Sequence, residues 1–345
     1  MNDSHLLLHR SEGRYAYYKQ FAELVWSDQL RSWLAFDPGL IQEIQKNQSF
    51  RVVDHSGEAE RIRKKLGIDL GHIEAALNAM PLGVEGEVHA ARRKHLAKII
   101  SARTDVAMAK FQAMAQELCM LHLGRAGKTE LVQALFEPLV LELAHSISGI
   151  RLQHNADFLS PTQIFDKALG LNRRRLINEQ IGSLRRQARD KCPAGEADST
   201  VSLAVLGTDS ILGSLALSFV ERIAASPDRK MSEINWGERL TRTAVPFIER
   251  VAVEPVSVGG VQIRRGEIVR LYLDRFSTEQ PANRDAFFGS GRHACLGRSL
   301  AQQSWRTLTK VLSLIECSVQ VENLKFREAD CMFLFPVQIE VSVNV

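Results

Sequence analysis

The sequence predicts a mainly α-helical protein with small β-sheets, and three observations predict it. Apolar residues recur at helical spacing through most of the chain between about residues 15 and 250. Strand-like alternation is confined to the last hundred or so residues. Between the strand-like stretches, a cysteine set among small residues leads straight into an amphipathic segment, "FFGSGRHACLGRSLA".

The N-terminal stretch "MNDSHLLLHRSEGRYAYYKQF" has three consecutive leucines followed by charged and tyrosine-rich residues, so neither a secretory signal nor a membrane anchor is expected there. "GHIEAALNAM", "DVAMAKFQAMAQELCMLHL", "TELVQALFEPLVLELAHSIS" and "VSLAVLGTDSILGSLALSFVERIAAS" each repeat apolar residues three and four apart and read as helices. The most linker-like stretch, "RDKCPAGEADST" at 189–200, reads as a helix-to-helix loop. "RVAVEPVSVGGVQIRRGEIVRLYL" alternates around Gly259, Gly260 and Gly266 and reads as short strands and turns, as do "SVQVENL" and "FLFPVQIEVSVNV". No repeat or glycine-rich linker interrupts the chain, so residues 1–345 are expected to form a single domain.

Hydrophobic residues make up 45% and charged residues 24% of the 345, an ordinary globular composition. The net charge of +4 is small and dispersed, which argues against nucleic-acid binding. Five cysteines, at positions 119, 192, 295, 317 and 331, show no paired spacing, and an odd number argues against a disulfide framework. A soluble protein of the reducing cytoplasm, with no membrane partner, is the expectation.

Cys295 is the residue to explain. Glycines around it let the backbone approach a flat ligand, and a thiolate near free N–H groups and a helix N-terminus is expected to have a lowered pKa, suited to metal ligation. One thiolate without further soft ligands does not make a tetrahedral zinc site, but it can serve as an axial ligand of haem iron.

Residues 288–297, F-G-S-G-R-H-A-C-L-G, resemble the haem-thiolate signature of the cytochrome P450 family, F-G-x-G-x-H-x-C-x-G, at every defined position. The resemblance implies an abbreviated cytochrome P450 fold and haem b (iron-protoporphyrin IX) as cofactor. It makes Cys295 the iron ligand, sets Phe288 and Gly297 beside the thiolate, and brings His293 to a haem propionate. "GEVHAARRKHLAKII" is similar to the family's C helix, whose H-x-x-x-R pair would be His89 and Arg93, four residues apart on one helix face. "LAVLGTDSILGSLALSF" is similar to the distal I helix, with Gly207, Thr208, Asp209 and Ser210 in the last four motif positions. Asp209 and Ser210 would relay protons, Ser210 standing where a threonine is usual. Arg250 takes the place of a propionate-binding arginine, and "LGRSLAQQSWRTLTKVLSLI" matches the helix under the haem.

The chain also departs from the family pattern. "NWGERLTRTAVPF" lacks the E-x-x-R pair of the K helix, although Glu238 and Arg242, four apart, offer a substitute helical pair. The segment before the cysteine loop is short. So is the roof, which "QIFDKALGLNRRRLINEQIGSLRRQARDK" must largely supply, and pocket-lining candidates lie between Ile73 and Val88 and around Leu169 to Ile177.

The resemblance implies an O2-dependent monooxygenase acting on a small organic or carrier-tethered substrate, in specialised metabolism. A ferredoxin or flavodoxin would donate electrons at a patch of Arg292, Arg298, Arg306 and Lys310. Peroxide-driven, isomerising or nitrogen-transfer chemistry on the same haem, and a non-catalytic haem-binding role, remain the alternatives.

Overall fold

The computed structural model describes residues 24–28, 30–54, 56–152, 161–165, 169–192, 195–273, 287–326 and 336–344. The N-terminal stretch before Leu24, the short segment between Leu273 and Phe287, Cys331, and the start of "FLFPVQIEVSVNV" lie outside them.

A hairpin of β1 (Leu24–Ser27) and β2 (Ser32–Ala35) leads to α1 (Pro38–Lys46). Asp37 caps α1, accepting the Leu40 N–H at 2.8 Å, and Pro38 occupies the first turn where no N–H is needed. After β3 (Phe50–Val52) come α2 (Ser56–Leu66), α3 (Gly71–Ala79) and the 38-residue α4 (Gly86–Leu123). β4 (Gly127–Glu130) and a π-turn, Val132–Phe136, run into α5 (Glu137–Ser148), which Gly149 ends in the left-handed conformation at φ 76°. Helices α6 (Leu171–Lys191) and α7 (Ala197–Ala224) follow, then β5 (Phe247–Ala252), the hairpin of β6 (Val256–Val258) and β7 (Val261–Ile263), and β8 (Ile268–Tyr272). The chain continues through α8 (Arg298–Leu312), β9 (Ser318–Phe326) and β10 (Pro336–Asn344). The mainly helical class with small sheets is as the sequence predicts.

The larger sheet has the order β1-β2-β8-β5-β3, with β2 and β8 parallel and the other pairs antiparallel. A second sheet, β4-β10-β9, brings the middle of the chain against its end. Helix α7 runs through the core. Among the described residues it alone is long and apolar enough to cross a membrane, but 61% of its most apolar window is buried inside the fold, so it is a core helix. Phe219 on α7 contacts the Phe136 ring at 5.6 Å and stacks on Trp236 at 5.6 Å, and Trp236 meets the fully buried Trp305 of α8.

The expected Glu238–Arg242 helical pair is not formed, because residues 234–246 are not helical. Thr241, Thr243 and Val245 are β-branched and Pro246 disfavours the α conformation before it. The extended segment is bonded instead to α7. Ser218 Oγ accepts the Thr241 and Arg242 N–H groups at 3.0 Å each, Ser214 Oγ accepts Ala244 N–H at 3.0 Å, and Arg242 Nε pairs with Glu221 Oε1 at 2.8 Å. Serines one helical turn apart on α7 thus supply the acceptors that a helix would have supplied internally.

Strand alternation in β5 puts Phe247 and Glu249 on one face and Ile248 and Arg250 on the other. Phe247 joins Leu34, Phe36 and Tyr272 in a small second core. Glu249 lies in register with Arg270 of β8, and their side chains pair at 3.0 Å with 5% and 6% exposure. The Arg270 guanidinium also sits 4.0 Å from the Phe247 ring centroid.

Candidate functional site

A cavity of about 310 Å³ opens between α7, the first turns of α4, β5 and the cysteine loop. Its wall is mostly aliphatic, with Leu96, Ile100, Leu143, Leu206 and Ile211 among the contributors.

The cysteine loop is shaped by its glycines. Gly289 and Gly291 have φ of 72° and 71°, and a Cβ on Gly291 would stand 3.0 Å from the Gln45 carbonyl oxygen of α1. The Cys295 N–H donates to Phe288 O at 2.7 Å and closes the loop, and Gly297 begins α8. Cys295 has accessible surface because it lines the cavity, while protein surrounds it otherwise. Burial therefore pushes its thiol up, against the opposing effects of the Gly297 and Arg298 N–H groups and the Arg93 and Arg298 guanidiniums. This corrects the expectation of a lowered pKa: the donors are present, but desolvation of a sulfur in an apolar cavity outweighs them.

Cationic and donor side chains gather at one part of the wall. His89 and Arg93 reach it from α4, Arg250 from β5 and His293 from the loop. The His89 and His293 rings lie 4.2 Å apart. His89 Nε2 is buried and has no hydrogen-bond partner among the described residues, and burial and the neighbouring Arg93 lower its pKa. Burial lowers His293 to about 4, so its ring is neutral near pH 7. Arg250, 7% exposed, is brought down to about 10 by burial.

On α7, Gly207 faces open space, with nothing within 4 Å of a Cβ placed there. Ser210 lies on the wall, its hydroxyl donating to Leu206 O at 3.1 Å. Thr208 donates to Ala204 O at 2.6 Å. Asp209 is buried at 6% exposure but is not part of the cavity wall.

The structure therefore brings together His89, Arg93, Gly207, Ser210, Arg250, Phe288, His293, Cys295 and Gly297, and leaves Asp209 behind the wall. Of the candidate lining ranges, Pro81 and Leu82 contribute, but no residue from Leu169 to Ile177 does. Helix α6 packs on α3 and α7 instead. There Arg185 bonds Asp198 at 2.6 Å and His72 Nδ1 at 2.8 Å, and Asn178 Oδ1 accepts the His72 and Ile73 N–H groups at 3.0 Å each.

Sequence reasoning missed Gln45, Glu85 and Ser214. Ser290 donates its N–H and hydroxyl to Gln45 Oε1 at 2.7 and 2.6 Å, across 245 positions, a separation that no local pattern encodes. Glu85 was detectable as an acid at a helix start, but its side chain makes no capping bond.

No family model matches the chain. The protein named "Putative cytochrome P450 140" in Mycobacterium tuberculosis (strain ATCC 25618 / H37Rv), and its namesake in Mycobacterium bovis, are 42% identical over 72 residues, 17% of this chain. That match spans 16% of those relatives' length. Solved structures match far more widely. P450BioI, in complex with an acyl carrier protein ligated to hexadec-9Z-enoic acid, aligns over 100% of both chains with a TM-score of 0.75 at 18% identity. CYP109E1 from Bacillus megaterium, in complex with testosterone, aligns over 100% of both chains at 0.72 and 16% identity. CalO2 aligns over 96% of each at 0.72 and 15%. The chain therefore has the cytochrome P450 fold over its whole length.

Proposed function

We propose that this chain is a haem-thiolate monooxygenase acting on an apolar small molecule or carrier-tethered acyl chain, with haem b held by Cys295. The observation that carries the reading is the convergence on one cavity of a thiol, an unpartnered buried imidazole at His89, and two guanidiniums at Arg93 and Arg250. These residues fit the cofactor. A flat apolar ring system with two carboxylates and a metal needs an apolar slot, cationic donors at one part of its rim and a soft ligand on the wall, and the cavity offers each.

Bound haem supplies the oxygen and electron chemistry that amino-acid side chains lack. Cys295 would hold the metal as thiolate, the cation's charge offsetting the burial that otherwise keeps the thiol protonated. The N–H groups of Gly297 and Arg298 point at the sulfur and spread its charge. His89, Arg93 and Arg250 orient the cofactor through its carboxylates. Phe288 covers the loop, its ring 5.7 Å from the Arg298 guanidinium. The aliphatic wall excludes water and receives an apolar substrate, and the acyl-carrier complex of P450BioI favours keeping a carrier-tethered chain among the candidates. The electron donor, a ferredoxin or flavodoxin, meets the exposed Arg298, Arg306 and Lys310 of α8. A reducing cytoplasmic setting and a place in specialised metabolism belong to the same reading.

Ser210 holds a proton at the cavity surface and Asp209 supplies it from behind the wall. Ser210→Ala is expected to slow oxygen-dependent turnover about a hundredfold while substrate binding changes about twofold or less. Asp209→Asn is expected to follow the same pattern, and equal losses in turnover and binding would make Asp209 a structural residue. Because Asp209 stands behind the wall, the second reading is haem-thiolate chemistry that needs no such proton supply: peroxide-driven, isomerising or nitrogen-transferring. Activity with hydrogen peroxide and no reductant would favour it.

The test of the proposal is the absorbance difference spectrum of the dithionite-reduced, haem-loaded protein with and without carbon monoxide. A strongly red-shifted Soret band is expected. An unshifted band would put a ligand other than thiolate on the iron, and failure to take up haem would remove the reading.

A further inference from the structure

Glu85 stands immediately before α4, yet its carboxylate serves other segments. Oε1 accepts the Val52 N–H at 3.1 Å, and Oε2 lies 3.0 Å from Arg292 Nε and 3.2 Å from His293 Nε2. Arg292 then donates to Phe50 O at 3.1 Å. One partly buried carboxylate thus joins the entry of α4, the edge strand β3 and the loop carrying Cys295, two residues beyond His293. On the loop's other side, Gln45 of α1 accepts both donors of Ser290. The cysteine signature contains neither acceptor. His89 Nε2, His293 Nε2 and Glu85 Oε2 all lack a hydrogen-bond partner among the described residues, so Glu85 meets His293 as a close neighbour at 3.2 Å.

We propose that Glu85 is a positioning residue for the cysteine loop: by holding Val52 and Arg292 and lying against His293, it sets the loop so that Cys295 faces the cavity. The proposal stands on these contacts alone.

Two measurements test this. In native-state hydrogen exchange on the haem-free chain, Glu85→Ala is expected to speed exchange about tenfold at the Val52 and Cys295 amides. Glu85→Gln, which keeps an acceptor for Val52, should speed Cys295 alone. The amides of the β9–β10 pair should be unchanged in both variants. Unaltered exchange at Cys295, or equal acceleration throughout, overturns the proposal.

In the haem-loaded chain, Glu85→Ala should divide the reduced carbon monoxide complex between shifted and unshifted bands and lose haem to apomyoglobin about tenfold faster than the parent. Haem loss as slow as in the parent, or slower, would overturn the proposal. If the parent chain shows no thiolate band, the haem reading fails by itself, and the exchange measurement still decides whether Glu85 holds the loop.

Discussion

Cys295→Ser is expected to abolish the thiolate-type red shift of the reduced carbon monoxide complex completely, with little effect on folding. The substitution exchanges one small atom in the wall of a cavity, so no packing is lost. A serine hydroxyl is too weak an acid and too hard a ligand to replace the sulfur. Absorbance spectroscopy of the variant, with circular dichroism as the folding control, reads both parts. Retention of the shifted band would place another ligand on the metal. The described cysteines at 119, 192 and 317 are poor candidates: none lines the cavity, and burial pushes the Cys119 thiol up to about 12.

Glu249→Gln is expected to destabilise the fold by about 3 kcal/mol, because it strands the Arg270 guanidinium among buried groups without its carboxylate. The pair is nearly sealed from water, and Arg270 already stacks on Phe247 in an apolar second core. Replacing both charges, as Glu249→Leu with Arg270→Met, is expected to recover most of that loss, since desolvating two ions costs about what their attraction returns. Urea unfolding of the haem-free single and double variants measures this. A cost for Glu249→Gln below about 1 kcal/mol would mean that water reaches the pair and screens it. Residues 234–246 form no helix with an E-x-x-R pair; the Ser214, Ser218 and Glu221 contacts of α7 tie that segment down, and the buried pair adds to the β3 and β8 ladders of β5.

The motifs that imply the cofactor were legible because each depends on local geometry. The glycine positions of the cysteine loop need backbone angles that favour glycine, and the four-residue spacing of His89 and Arg93 is a property of one helix face. Arg250 was named only through the resemblance of its strand and the glycine turns after it to the family's pattern. The reading failed where the outcome depended on which distant segment supplied a partner. Glu238 and Arg242 have the spacing of a helical pair, yet hydroxyls of α7 take the N–H groups of that segment and Glu221 takes the guanidinium. Asp209 and Ser210 are neighbours in sequence, but successive helical residues are rotated about 100° apart, and only one of the two reaches the wall.

By itself, then, the sequence determined the helical class and the glycine-shaped cysteine loop, which follow from spacing within single elements, while the cations were named only through the resemblance. Tertiary structure alone decided that burial raises the Cys295 thiol, that Glu85 and Gln45 grip the loop, and that Glu249 and Arg270 pair. Desolvation and long-range partnering arise only when segments far apart in the chain displace water from one another.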